Sequence, residues 1–166
     1  MTDQTEYNRK FTDMVKRHEK TIFSVCFFYA NSDIAFEDLR QEVLISLFKS
    51  YRSFKGQSTE STWMYRVCLN TCLLSLRKSI SKIHTVSLDE LPCVNFEAET
   101  NDDFLQKLQW LYSAISQLNP MDKAIILMWL DELSYEEIAG NIGIPRNTVA
   151  SRLSRIKVKL SSQKQI

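Results

Sequence analysis

The stretch SYEEIAGNIGIPRNTVASRLSRIKVKL, Ser134 to Leu160, decides the fold. Ser134 followed three residues later by Glu137 is the pattern of a capping box, in which each side chain satisfies the other's free backbone N–H at a helix start. A short helix therefore opens there and ends near Gly140-Asn141, before Gly143, which can take the left-handed conformation of a tight turn. Pro145 introduces a last helix, Arg146 to about Ser161. Two helices joined in this way form a helix-turn-helix. Ala139 is small where they cross, and Ile138, Ile142, Ile144, Val149 and Leu153 supply the inner face. The outer side of the second helix offers Arg146, Asn147, Thr148, Ser151, Arg152 and Arg155, with Lys157 and Lys159 further along. Arg pairs bidentately with guanine, Asn with adenine, and Ser or Thr with either; the lysines suit phosphate. An ordinary hairpin with a solvated basic face is the competing reading. It is disfavoured because six basic residues and no acid follow Ile142.

Upstream, apolar residues keep helical spacing. They predict one helix over residues 6–30, a second over Ile34–Tyr51 and a third from about Trp63 to Ser79. Asn31-Ser32-Asp33 and the polar stretch 53–62 separate them. Beyond residue 103, helices are expected from Phe104 to Leu118 and from Met121 to Asp131, divided by Asn119-Pro120. Only three Gly and three Pro in 166 residues argue against an all-β fold and leave no phosphate-cradling glycine loop. With two histidines, a hydrolytic triad or three-His metal site is not expected, and no other metal or cofactor site is legible. Cys26, Cys68, Cys72 and Cys93 lack zinc spacing and read as small apolar core residues of a reducing compartment. No signal peptide or membrane-length apolar run is visible, so a cytoplasmic protein without membrane insertion is expected.

Charge divides the chain. Residues 1–79 carry +3, residues 80–103 carry −5, and residues 104–166 carry +3. The expected architecture is all-α: two small helical domains, 1–79 and 104–166, joined by a flexible acidic linker, 80–103.

Three motifs in order extend this reading. Leu133 to Arg155 resembles the promoter-reading helix-turn-helix of bacterial RNA polymerase sigma factors of the extracytoplasmic-function (ECF) type, within the sigma-70 family. Glu37-Asp38-Leu39-Arg40-Gln41-Glu42-Val43 resembles that family's polymerase-docking helix, and Trp63-Met64-Tyr65-Arg66-Val67-Cys68-Leu69-Asn70 its minus-ten helix. The resemblance implies that residues 1–79 correspond to sigma region 2 and 104–166 to region 4, reading the minus-thirty-five element. It implies core-polymerase contacts by Asp38, Leu39, Gln41 and Glu42, and minus-ten or melting contacts by Trp63, Tyr65, Arg66 and Asn70. Flipped bases would be received by the 53–62 loop beside Trp63. The implied partners are core RNA polymerase, promoter DNA and an anti-sigma factor; the implied role is promoter specificity, not catalysis. Five positions depart from the family pattern: Phe48, Glu60, Leu69, Leu74 and Ala150.

The alternative is a helix-turn-helix regulator that binds duplex DNA without polymerase. Binding of promoter duplex by the protein alone would favour the regulator, and binding only with core enzyme the sigma factor. A helical metal-carboxylate enzyme lacks the inward-facing Glu-x-x-His motifs it would need. If 80–103 is a linker, limited proteolysis is expected to cut first on either side of Pro92. Fragments 1–79 and 104–166 should then keep their helical circular dichroism; loss of structure on the first cut would show one integrated domain.

Overall fold

A computed structural model describes residues 2–82 and 102–163, which form eight helices and, among the described residues, no strand. The chain divides into two compact units, Met1–Val86 and Ser87–Ile166. The acidic segment from 83 to 101, with Pro92 and Cys93, lies outside the described residues.

The first unit holds α1 (Thr2–Arg17), α2 (Glu19–Tyr29), α3 (Phe36–Tyr51) and α4 (Glu60–Lys82). The single helix expected over 6–30 is two, because the backbone departs from helical geometry at His18, φ −108° and ψ 14°. No Gly or Pro marks the break; the His18 ring is instead tied to Glu60 of α4, Nε2 to Oε1 at 3.0 Å. Asn31 turns the chain between α2 and α3, its side-chain oxygen accepting from the backbone N–H groups of Asp33 and Ile34. Helix α4 begins three residues before Trp63, where the Thr59 hydroxyl accepts from the Thr62 backbone N–H at 3.1 Å. It also runs past the expected end at Ser79 to Lys82.

Met14 of α1, Ile22, Val25 and Tyr29 of α2, Leu39, Val43 and Leu47 of α3, and Met64, Tyr65 and Leu69 of α4 form the buried core. Cys26, Cys68 and Cys72 are free thiols within it, and burial pushes the Cys68 thiol well above its ordinary range. Phe48 of α3 is 39% exposed and belongs to an aromatic cluster with Tyr7 and Phe11.

The second unit holds α5 (Asp102–Ser116), α6 (Pro120–Leu130), α7 (Tyr135–Ile142) and α8 (Arg146–Ser162). Asn119 caps α6, its side chain accepting from the Asp122 backbone N–H at 2.9 Å, with Pro120 in the first turn. The capping box closes as expected: the Glu137 N–H donates to Ser134 Oγ at 3.2 Å and the Ser134 N–H to Glu137 Oε2 at 2.9 Å. Each such cap contributes about 1 kcal/mol. Gly143 ends α7 at φ 77°, with its N–H on the Ala139 carbonyl at 2.8 Å. Val149, Leu153, Ile156 and Leu160 bury one side of α8, which packs on α6 and α7, where Ile125, Met128 and Ile138 are also buried.

Among the described residues of this unit two carry positive φ, and they should respond oppositely to substitution. Gly143→Ala forces a Cβ into the left-handed region and is expected to destabilise the unit by about 1–2 kcal/mol. Glu132, at φ 63°, already carries that strain. Glu132→Gly should be neutral or stabilising by up to about 1 kcal/mol, since relief of strain exceeds the entropy glycine adds to the unfolded chain. Thermal unfolding followed by circular dichroism checks both, and equal responses would contradict the assigned turn geometry.

Candidate nucleic-acid interface

Helix α8 sets the first part of the site. With its buried side fixed by Val149, Leu153, Ile156 and Leu160, a 100° step per residue puts Asn147, Ser151, Ser154 and Val158 on the opposite side. All four are exposed, and Arg155 stands beside them, also exposed. Ser154 was missed in the sequence reading, although it lies three and seven residues from Ser151 and Asn147 and follows from helical periodicity. Thr148 is half-buried on one flank.

Arg146, Lys157 and Arg152 of α8 have partners inside the unit. Arg146 pairs with Glu136 of α7, Nε to Oε1 at 2.5 Å, and its guanidinium lies 5.5 Å from the Tyr135 ring. Lys157 sits 3.8 Å from the centre of the Trp129 ring. Arg152 departs most from its expected place. It is half-buried and directed to α6, with Nη1 3.0 Å from Asp122 Oδ1. Its angular position, about 100° from Ser151, explains why: it faces the neighbouring helix rather than outward.

The second part of the site lies in the first unit, where α3 passes through the 52–59 loop into α4. Phe54 stacks on Trp63 at 4.9 Å and 29°, and Tyr51 lies 6.0 Å from the same indole. Tyr7, Tyr51, Arg52, Phe54 and Glu60 line an open cavity of about 510 Å³. The Arg52 guanidinium covers the Tyr7 ring at 4.7 Å. Neither Tyr7 nor Arg52 stood out in the sequence, because only the fold brings α1 beside the end of α3. Trp63 is half-buried with its ring against Phe54 and Tyr51, two of the lining residues, and Arg66 and Asn70 follow on the exposed side of α4. Tyr65 corrects the expectation: at 1% exposure it is a core residue and does not face this surface. Leu69, in the position where the family pattern has Arg, is also buried, at 4%.

Along α3, Asp38, Gln41 and Glu42 are exposed, whereas Leu39 is 1% exposed and packs inward. Leu39 therefore holds the helix in place and offers no surface. Ile45, four positions beyond Gln41, is an exposed apolar residue on this helix. The Glu42 carboxylate accepts from the Ser75 hydroxyl of α4 at 2.6 Å, which ties the face to the core.

Comparison with known proteins matches both parts. Residues 14–80 fit the family model for sigma-70 region 2, and residues 108–160 that for sigma-70, region 4. The ECF RNA polymerase sigma-E factor of Escherichia coli (strain K12) is 30% identical over 169 aligned residues, which cover 95% of this chain and 87% of that protein. The chain belongs to the ECF sigma factors of the sigma-70 family. Another relative, the ECF RNA polymerase sigma factor SigE of Mycolicibacterium smegmatis, is 26% identical over 89% of this chain and 59% of its own length. Among solved structures, the sigma factor RpoE in complex with the anti-sigma factor NepR from Bartonella quintana shares the fold with a TM-score of 0.78. The two are 21% identical over 95% of this chain and 98% of that one.

The sigma-factor match over residues 14–80 disfavours a polymerase-independent regulator, whose first domain would have no reason to resemble region 2. Among the described residues no helix is long and apolar enough to cross a membrane. In this sigma factor, Glu60 braces the corner that carries the loop. Its Oε1 lies 2.8 Å from Arg17 Nη2 and 3.0 Å from His18 Nε2. Burial works against its charge, but Arg17 and His18 outweigh burial and hold the carboxyl below its ordinary 4.5. A depressed carboxyl contributes stability above its unfolded pKa and loses it as pH falls through the lower folded value. Glu60→Gln is therefore expected to cost about 0.5–1 kcal/mol at neutral pH for this partly exposed pair. The gap should close as the pH drops below 4.5. Urea titrations across that range measure it, and a gap that widens on acidification would reverse the assignment.

Proposed function

We propose that the two parts of this sigma factor divide the work of promoter recognition. Residues 1–79, the region 2-like part, dock on core RNA polymerase through the α3 face of Asp38, Gln41 and Glu42, and receive the minus-ten strand at the loop before α4. There Trp63, with Arg66 and Asn70 beyond it, meets unstacked bases and backbone; stacking on such rings contributes about 1–3 kcal/mol per base. Residues 104–166, the region 4-like part, lay α8 in the major groove of the minus-thirty-five element. A helix-turn-helix presents the first turns of its second helix to base edges. Asn147, Thr148, Ser151 and Arg155 meet bases or the groove wall, and Arg146 and Lys157 the phosphates. Residues 80–103 join the two parts. The chain supplies specificity in the cytoplasm and leaves catalysis to the polymerase.

The observation that carries this reading is the presence in one chain, in family order, of an aromatic-walled loop on a helical unit and a separate helix-turn-helix with an exposed polar row. An anti-sigma factor is the further partner we assign. The solved complex of RpoE with NepR supports it, as does that of CnrH with the cytosolic domain of CnrY, a match at 18% identity and TM-score 0.65.

Transcription by core polymerase on a promoter library, with and without this chain, tests the reading: promoter-specific transcripts should appear only when it is added. Asp38→Lys combined with Gln41→Lys should weaken capture of core enzyme at least tenfold while leaving the helical circular dichroism unchanged. A tenfold loss corresponds to about 1.4 kcal/mol, within reach of two reversed or added charges at an interface. These two positions are preferred to Glu42, whose bond to Ser75 makes its replacement a change to the fold. Unchanged capture by the double variant would remove α3 from the docking surface.

A further inference from the structure

Arg152 lies in the second turn of α8, where a recognition helix reads DNA, yet its guanidinium is committed elsewhere. Asp122 Oδ1 takes Arg152 Nη1 at 3.0 Å, while its Oδ2 accepts from Asn119 Nδ2 at 2.7 Å and its backbone N–H donates to Asn119 Oδ1 at 2.9 Å. The carboxylate is thus held at both oxygens, once by the cap of α6 and once by α8. We propose that Arg152 is a positioning residue: through Asp122 it clamps α8 to the first turn of α6 and sets the rotation at which Asn147, Ser151 and Ser154 meet the base edges. The inference rests on the minus-thirty-five reading of α8 given above.

The reason for such a clamp is directional. The contacts that bury α8, from Val149, Leu153, Ile156 and Leu160, are apolar and tolerate small rotations of the helix about its axis. Base-edge hydrogen bonds do not tolerate them, since they weaken steeply with distance and angle. A rotation of ~10° moves a side-chain end ~5–6 Å from the helix axis by ~1 Å, enough to lose such a bond. A salt bridge on the flank of α8, one residue from Ser151, resists that rotation where it matters.

The test is a double-variant cycle in the full chain, assembled with core polymerase and assayed on promoters in which each minus-thirty-five base pair is varied singly. Arg152→Ala and Asp122→Ala should each lower output from the best promoter by about fivefold, the upper range for a partly exposed ion pair. Each should flatten the preference at all minus-thirty-five positions together. The double variant should lose about fivefold again, not the ~25-fold of independent effects, because both changes remove one clamp. Arg152→Lys should recover most of the output, since an ammonium keeps the ion pair but not the bidentate fork a guanine requires. Three outcomes would overturn the clamp. One is additive loss in the double variant; another is loss of preference at a single base pair in Arg152→Ala, unrescued by Lys. The third is lower output with an unchanged preference pattern, which would reduce the pair to fold stability. A wild-type chain with no promoter-specific transcription would overturn the sigma-factor reading and the clamp together, whereas the three outcomes above leave that reading standing.

Discussion

Leu39, Val43 and Leu47 line one side of α3, and Val149, Leu153, Ile156 and Leu160 one side of α8. Every helix of units this small must surrender such a side, because a domain of about this size has little apolar surface to spare. What is left to each helix for binding is the opposite side, and the positions of the functional residues follow. On α8 the surrender of four residues turns Asn147, Ser151 and Ser154 outward. On α3 it turns Asp38, Gln41 and Ile45 outward and denies Leu39 any part in an interface. The core therefore assigns roles that side-chain chemistry alone does not.

Much of this was legible from residue order. The capping box at Ser134 and Glu137, the break at Asn119-Pro120 and the left-handed Gly143 are local devices, decided by residues close together in the chain. They appear where the sequence places them. Helical periodicity likewise located α3 to α6, and α1 and α2 as one helix. What escaped it depends on partners far along the chain. The break at His18 involves Glu60, 42 residues away, and no Gly or Pro announces it. The burial of Tyr65 and Leu69 reflects how α4 rotates against α2 and α3, which a broad apolar face leaves undetermined. The cavity beside Trp63 needs Tyr7 from α1, and no local pattern points there.

The candidate site shows the same division. Counting exposed polar residues along one side of α8 identified Asn147, Thr148, Ser151 and Arg155 from spacing alone, and the same count extended by one turn reaches Ser154. The same reading sets Arg146 and Arg152 on that outer side and Lys157 further along. Their partners are an acid of α7, an acid of α6 and the ring of Trp129. Charge in a sequence marks a capacity for pairing and does not reveal with whom. Here part of that capacity is used to hold three helices together.

That internal pairing changes what ions in solution do to the complex. Binding to duplex DNA gains free energy when protein cations displace the counterions condensed on phosphates, and affinity falls with salt in proportion to the number displaced. Arg152 enters the complex with the Asp122 carboxylate already beside it, and so contributes no net charge to that exchange. Glu136 does the same for Arg146 for as long as their bond lasts. The C-terminal unit thus meets DNA with a smaller effective valence than its six basic residues beyond Ile142 imply. Its grip is correspondingly less exposed to swings in cellular ionic strength, and a larger share of its selectivity falls to shape and to neutral hydrogen bonds.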